Sequence, residues 1–199
     1  MPRPSVEAER RHQILTAACD VIATVGVAEL RLADVAKSAG VSSGTVHYYF
    51  NSKKDVLSAA FEFNLEESLS RRQELLASTK SGLNRLNDLV ESYLPKDEPS
   101  LRAWKVWLAL WTEATRDPSL SAVNERLYGQ WRDVVSTVIE AAQEEGTVRQ
   151  GNSVTLANML IGMLDGLAVQ VVLGSEAVQL TTIRRTIKQF IRDDIALPR

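Results

Sequence analysis

Apolar residues recur along this chain at the three- and four-residue intervals of a helix, and Gly and Pro are few and fall at the breaks between such runs. That pattern favours long helices over the frequent turns of a β-sandwich. A first helix is predicted from about Val6 to Val25, with Ile14, Ala17, Ala18, Val21 and Ile22 on one face and Gly26 ending it. Two short helices follow, Leu32–Ala39 and Ser43–Tyr49, then a long continuous one from Lys53 to about Ser78. Leu83–Leu94 is stopped by Pro95, and Lys96 to Pro99 reads as a loop. Leu101–Thr115, Pro118–Glu145, a helix from Asn152 or Ser153 to Leu173, and Leu180–Ile195 complete an all-α chain of about nine helices. No repeat or low-complexity segment is visible, and residues 1–6, with Arg3 between prolines, read as a loose arm.

The stretch Leu32–Leu57, LADVAKSAGVSSGTVHYYFNSKKDVL, is the most informative. Leu32, Val35, Ala36 and Ala39 form one apolar face, and Gly40 suits a left-handed helix end because it lacks a Cβ. Val41 is expected as a buried pin in the turn, and the Ser42 hydroxyl as an N-cap bonding the amide of Thr45. Val46 and Phe50, four apart, point inward. Ser43, Gly44, Thr45, His47, Tyr48 and Tyr49 are left for the outside. Two short helices joined by a glycine-containing turn can lay the second helix in the major groove of DNA. Hydroxyls and ring nitrogens on that helix suit phosphate oxygens and base edges.

The run AGVSSGTVHYYFNSKKDVL closely resembles the helix-turn-helix of the tetracycline-repressor (TetR) family, and the match reaches back to Arg11, Ile14, Ala17, Ala18 and Gly26. The resemblance implies a three-helix DNA-binding domain at 1–52 and a larger helical bundle at 53–199 for effector binding and dimerisation. It implies base or backbone contacts from Ser43, Gly44, Thr45, His47 and Tyr48, and phosphate contacts from Tyr49 and Lys53. Two positions depart from the family pattern. Arg31 stands where a threonine usually opens the first helix of the motif; it can still reach a phosphate, but the capping hydroxyl is gone. His47 stands where a tyrosine is common.

The net charge of −2 gives no global sign of nucleic-acid binding, although residues 1–55 carry +1 and the remainder −3. Few basic contacts per subunit imply that two subunits are needed and that binding weakens steeply with salt. The single cysteine, Cys19, rules out a disulfide framework and a cysteine-based zinc site, and reads as packing in the first helix. No metal or cofactor is expected. No apolar run reaches the ~18 residues of a membrane span and no signal peptide is read, so the expected location is the cytoplasm.

The remaining two-thirds is too long and apolar to serve only as packing for a DNA reader. Leu101–Val148, with Trp104, Trp107 and Trp111, the RDPSL break and the YGQWR stretch, resembles the C-terminal domain of BetI-like members of the same family. Candidate ligand contacts are Phe61, Tyr93, Trp104, Trp107, Trp111, Tyr128 and Trp131, whose rings can hold a quaternary ammonium by cation–π attraction or simply fill the core. Asp165 lies in an apolar segment. Since an unpaired buried carboxylate is costly, it should meet a cationic ligand, bond a neighbouring helix, or sit at a dimer seam. Glu113 and Asn158 are weaker candidates of the same kind. Leu156, Leu160, Met163, Leu164, Leu167, Val171 and Val172, with Gly162 and Gly166, suit pairing of the last two helices with a second subunit.

These readings converge on a homodimeric repressor that binds a palindromic operator in double-stranded DNA and releases it when a small molecule enters. The alternative is a helical DNA-binding regulator without an effector, controlled by a protein partner or by abundance. An enzyme finds no support: there is no Ser/His/Asp set, no glycine-rich phosphate loop and no HExxH, and the two histidines, His12 and His47, lie in the DNA-reading third.

Overall fold

The computed structural model describes residues 5–197, and the chain within them packs as two compact units. Arg3 and the rest of the expected arm up to Pro4 lie outside the described residues; Ser5 already caps the first helix, its hydroxyl accepting from the Ala8 amide at 3.1 Å.

The first unit holds residues up to Ser68 and Arg102–Glu125. Its elements are α1 (Val6–Glu29), α2 (Leu32–Ser38), α3 (Ser43–Tyr49), most of α4 (Lys53–Ser70), most of α7 (Glu98–Ala114) and the first turns of α8 (Pro118–Glu144). Gly26 interrupts α1 as expected, at φ 78, and one further turn carries the chain to Glu29. Ile14, Ala18 and Ile22 of α1 are buried with Val35, Val46, Val56, Ala60 and Phe61, the small core on which the turn between α2 and α3 rests. Cys19 belongs to that core: its thiol donates to the Ala60 carbonyl at 3.5 Å, and burial pushes it up to about 12. Polar ties also join the helices of this unit. Asn64 donates to the Ala103 carbonyl at 3.2 Å, and Arg102 pairs with Asp20 at 2.9 Å.

The second unit holds Leu69–Leu101 and Arg126 onward. It contains α5 (Gln73–Leu76), α6 (Gly82–Tyr93), the rest of α8, α9 (Ser153–Val172), α10 (Leu180–Phe190) and a π-helical turn, Ile191–Ile195. Leu86, Leu89, Ile139, Leu160, Ile161, Ile183 and Ile187 fill its core. Gly82 is required where α6 meets α8, because a Cβ there would overlap Ala142. The Gly82 amide donates to the Glu145 carboxylate, which also pairs with Arg85 at 3.0 Å. Arg184 of α10 grips Glu91 of α6 through both carboxylate oxygens, at 2.6 and 2.9 Å.

The architecture is all-α, with ten α-helices among the described residues rather than about nine. The helix expected to run unbroken from Lys53 to Ser78 ends at Ser70, and Arg71–Arg72 turn the chain into the short α5. The cause is tertiary: the Arg72 side chain turns inward and is tied to Ser92. The expected loop Lys96–Pro99 is shorter, since α7 starts at Glu98, where Asp97 and Ser100 cap each other's amides at 2.9 and 3.1 Å. The last helix gives way at Ile191 to the π turn. By length and composition α9 could cross a membrane, which no unbroken apolar run in the sequence suggested. Asn158, Asp165 and Gln170 interrupt it, and its Leu156, Leu160 and Leu164 face are buried in this unit.

Candidate functional site

Local bonds build the turn between α2 and α3, and Gln13 of α1 ties it down by donating to the Ala39 carbonyl at 2.5 Å. The Gly40 amide donates to the Lys37 carbonyl at 3.2 Å and the Val41 amide to the Ala36 carbonyl at 3.0 Å, with Gly40 at φ 63. This pair of bonds closes α2 in a Schellman motif. Val41 is half-buried rather than a fully buried pin, because it covers the end of α2 from the side of solvent. Ser42 then opens α3, its hydroxyl accepting from the Thr45 amide at 3.0 Å.

What α3 shows to solvent follows from this geometry. Val46 and Phe50 are buried, while Ser43, Gly44 and His47 are exposed and Tyr48 is 80% exposed. Thr45 and Tyr49 are half-buried. The Thr45 hydroxyl lies 2.8 Å from that of Ser42, and the Tyr49 ring meets Tyr48 edge-on at 5.1 Å. Arg31 is exposed at the start of α2, which has no side-chain cap. Lys53 donates to the Ala28 carbonyl at 3.1 Å, so its ammonium is held at the end of α1.

The aromatic candidates fall into two groups. In the first unit Phe61, Trp104 and Trp107 are buried and Trp111 is half-buried; Trp111 meets Trp104 edge-on at 6.0 Å and Trp107 at 6.4 Å. Glu113, also in this unit, is half-buried.

The second unit gathers a polar cluster around Asp165. Tyr93 of α6 donates to one carboxylate oxygen and Tyr128 of α8 to the other, each at 2.7 Å. Burial raises the Asp165 carboxyl, and the two phenol donors hold it back. Burial likewise raises both phenols, Tyr93 well above its ordinary value. Tyr93 stacks on Trp131 with centroids 4.9 Å apart. Asn158, on the same helix as Asp165, is exposed and takes no part.

Three members of this cluster were not among the candidate residues: Arg72, Ser92 and Arg132, the last of them within the YGQWR stretch. Arg72 is only 6% exposed. Its guanidinium donates to the Ser92 hydroxyl at 2.8 Å and the Ser92 carbonyl at 2.9 Å. It also lies 5.2 Å from the Trp131 ring and 5.9 Å from Tyr93, and burial brings it down to about 10. Arg132 lies over Tyr128 at 5.6 Å. Trp131 Nε1 and Arg132 Nε are buried and have no hydrogen-bond partner among the described residues.

Two concavities in this unit differ in size. Tyr93 and Trp131 border an apolar void of about 10 Å³, and a wider hollow of about 750 Å³ lies among Ser81, Asn84, Thr147, Lys188 and Arg192. One face of α9 is left uncovered by the described residues. Met159 is 45% exposed and Leu173, just past its end, 70%, while a Cβ at Gly162 or Gly166 would meet nothing.

A capped helix-turn-helix with a polar, ring-bearing second helix defines a DNA-reading protein. Residues 14–60 match the bacterial regulatory proteins of the tetR family, and residues 83–196 match the C-terminal region of BetI-type transcriptional repressors. The chain therefore belongs to the tetR family, in its BetI-type branch, and is a transcriptional regulator rather than an enzyme. It is 29% identical to the HTH-type transcriptional regulator BetI of Cronobacter sakazakii, over 98% of this chain and 96% of that one. A transcriptional regulator from Saccharomonospora viridis, solved in complex with choline, is 32% identical with a TM-score of 0.86, covering 96% of this chain and 99% of its own. A TetR-family regulator from Rhodococcus sp. shares the fold at 24% identity, with a TM-score of 0.83 over 92% of this chain and 96% of its own.

Proposed function

We propose that this chain acts in the cytoplasm as a homodimeric repressor that holds a palindromic operator and releases it when a small cationic effector binds. Residues 1–52 read the DNA and residues 53–199 bind the effector and dimerise. The observation that carries the reading is the outward display on α3: Ser43, Gly44, His47 and Tyr48 stand clear of the core behind a fully capped turn. Ser43, Gly44, Thr45, His47 and Tyr48 contact bases or backbone, and Arg31, Tyr49 and Lys53 contact phosphates. The uncovered face of α9, with α10, pairs with a second subunit and so sets two reading helices on successive major grooves.

For the effector, support comes from the choline-bound relative and from the rings around Asp165. A quaternary ammonium is held by aromatic faces and by a carboxylate, which Tyr128, Trp131 and Asp165 supply. The effector lowers operator affinity only by as much as it prefers the released form. Fluorescence anisotropy with a duplex selected from a random pool tests the whole reading. Operator affinity is expected to fall steeply with salt and to drop when choline is added. A complex that forms but ignores choline and its close relatives refutes effector control, and failure to enrich any duplex refutes the DNA reading.

A further inference from the structure

Two points fasten the reading helix to the first helix of its unit, and one of them is a single exposed glutamine. α1 packs along α2 and α2 along α3, so the placement of α3 passes chiefly through α2 and the corner that ends it. At that corner the Schellman bonds use the carbonyls of Ala36 and Lys37. No backbone amide among the described residues donates to the carbonyl of Ala39. Gln13 of α1, 26 residues away in sequence, supplies that donor: its Nε2 reaches the Ala39 oxygen at 2.5 Å. Its Oε1 accepts from Arg10 Nη1 at 2.7 Å, about one turn earlier on the same helix. A donor on one side and an acceptor on the other leave the amide only one way round. Gln13 is exposed, so it fills no core, and these bonds are what its side chain contributes.

The second point lies at the far end of α3. Arg11 sets its guanidinium over the ring of Phe50, 5.6 Å from the centroid, and Phe50 is buried. With both ends held, α3 cannot swing about either. Without Gln13 it keeps the Phe50 end and gains freedom at the other, where Ser43, Gly44 and Thr45 stand. The reading orientation then becomes one of several, and apparent affinity falls with its share.

We propose that Gln13 is a positioning residue for DNA reading: by anchoring the Ala39 carbonyl at the end of α2, it sets the angle at which α3 meets the bases. Bonds to base edges depend on that angle and carry the sequence information, whereas phosphate contacts carry none directly. This inference rests on the DNA reading of the α2–α3 motif, and it adds a residue that acts through that motif rather than on the duplex.

The test is fluorescence anisotropy of the full chain over a range of salt, with an operator selected from a random pool and a scrambled duplex of the same composition. In Q13M, which keeps the length and loses both polar atoms, the operator should weaken about fivefold for each subunit bound, the size of one net hydrogen bond. Affinity for the scrambled duplex should stay within about twofold, with its salt slope unchanged, because phosphate contacts set that term. Q13N keeps the amide but is one methylene too short, and should lose the same selectivity. Circular dichroism confirms that both variants fold. Selectivity equal to the wild type's in both variants overturns the inference. So does an equal weakening of both duplexes, which marks lost folded protein or, with a shallower salt slope, a lost phosphate contact. In either case a wild type that prefers the operator leaves the DNA reading standing. A wild type with no preference removes that reading and this inference with it.

Discussion

The α2–α3 turn and the Asp165 cluster use similar groups, hydroxyls, aromatic rings and a few charges, yet they handle water in opposite ways. At the turn the backbone–backbone bonds close locally, between residues three to five apart, and Ser43, Gly44, His47 and Tyr48 of α3 are left to solvent. Around Asp165 the bonds span long stretches of chain, from Tyr93 and from Tyr128, and the side chains are buried at Tyr93 and half-buried at Tyr128 and Asp165. A polar group in water costs nothing to display and commits to nothing until a large partner covers it. One that is buried must be satisfied by its neighbours or by a ligand small enough to reach it. The first arrangement suits a macromolecular surface, the second a small molecule.

Substitutions should separate the two regions cleanly. The largest effect is expected from Asp165→Ala, which strips both phenols of their acceptor and should cost about 2–4 kcal/mol in urea unfolding. Tyr48→Ala should leave that unfolding curve within about 0.5 kcal/mol, because the ring is exposed. It should nevertheless weaken a selected operator about tenfold in anisotropy, as the loss of one good contact does. If Tyr48→Ala destabilised the fold as much as Asp165→Ala, the contrast between display and burial would be lost.

The smallest effect is a dependence on pH. The folded Asp165 carboxyl sits above its ordinary value through burial, so protonation favours the folded state. Its contribution is fully present below the ordinary carboxylate range and is lost as pH rises through the raised folded value. Compared with Asp165→Asn, which does not titrate there, the wild type should gain stability on acidification from neutral pH. A constant difference between the two proteins across that range would show that the carboxyl is not raised.

Why one region was legible in the sequence and the other only half so follows from the same contrast. Gly40 and Ser42 act on partners within a few residues, Val46 and Phe50 turn inward as their four-residue spacing implies, and the motif sits where that spacing placed it. Asp165 drew attention because a carboxylate in an apolar segment demands a partner, and Tyr128 and Trp131 as rings on a nearby helix. Arg72 gave no warning, since an arginine in a helical pattern looks like any solvated one, and Arg132 stood in the YGQWR stretch with nothing to mark its burial. The reach of Arg72 to Ser92, 20 residues away, ends the helix that local pattern alone would carry to Ser78. The boundaries of α7 and α10 shifted for smaller reasons of capping and winding.

Cys19 has a practical side that packing does not suggest. Thiol reagents attack the thiolate, and a cysteine sealed in the first unit's core with its thiol at about 12 offers almost none at neutral pH. The native chain therefore behaves toward maleimides as though it had no cysteine. A fluorophore attached through a new cysteine at an exposed position such as Gln130 would label each chain at one place only, with no need to engineer the natural sulfur away.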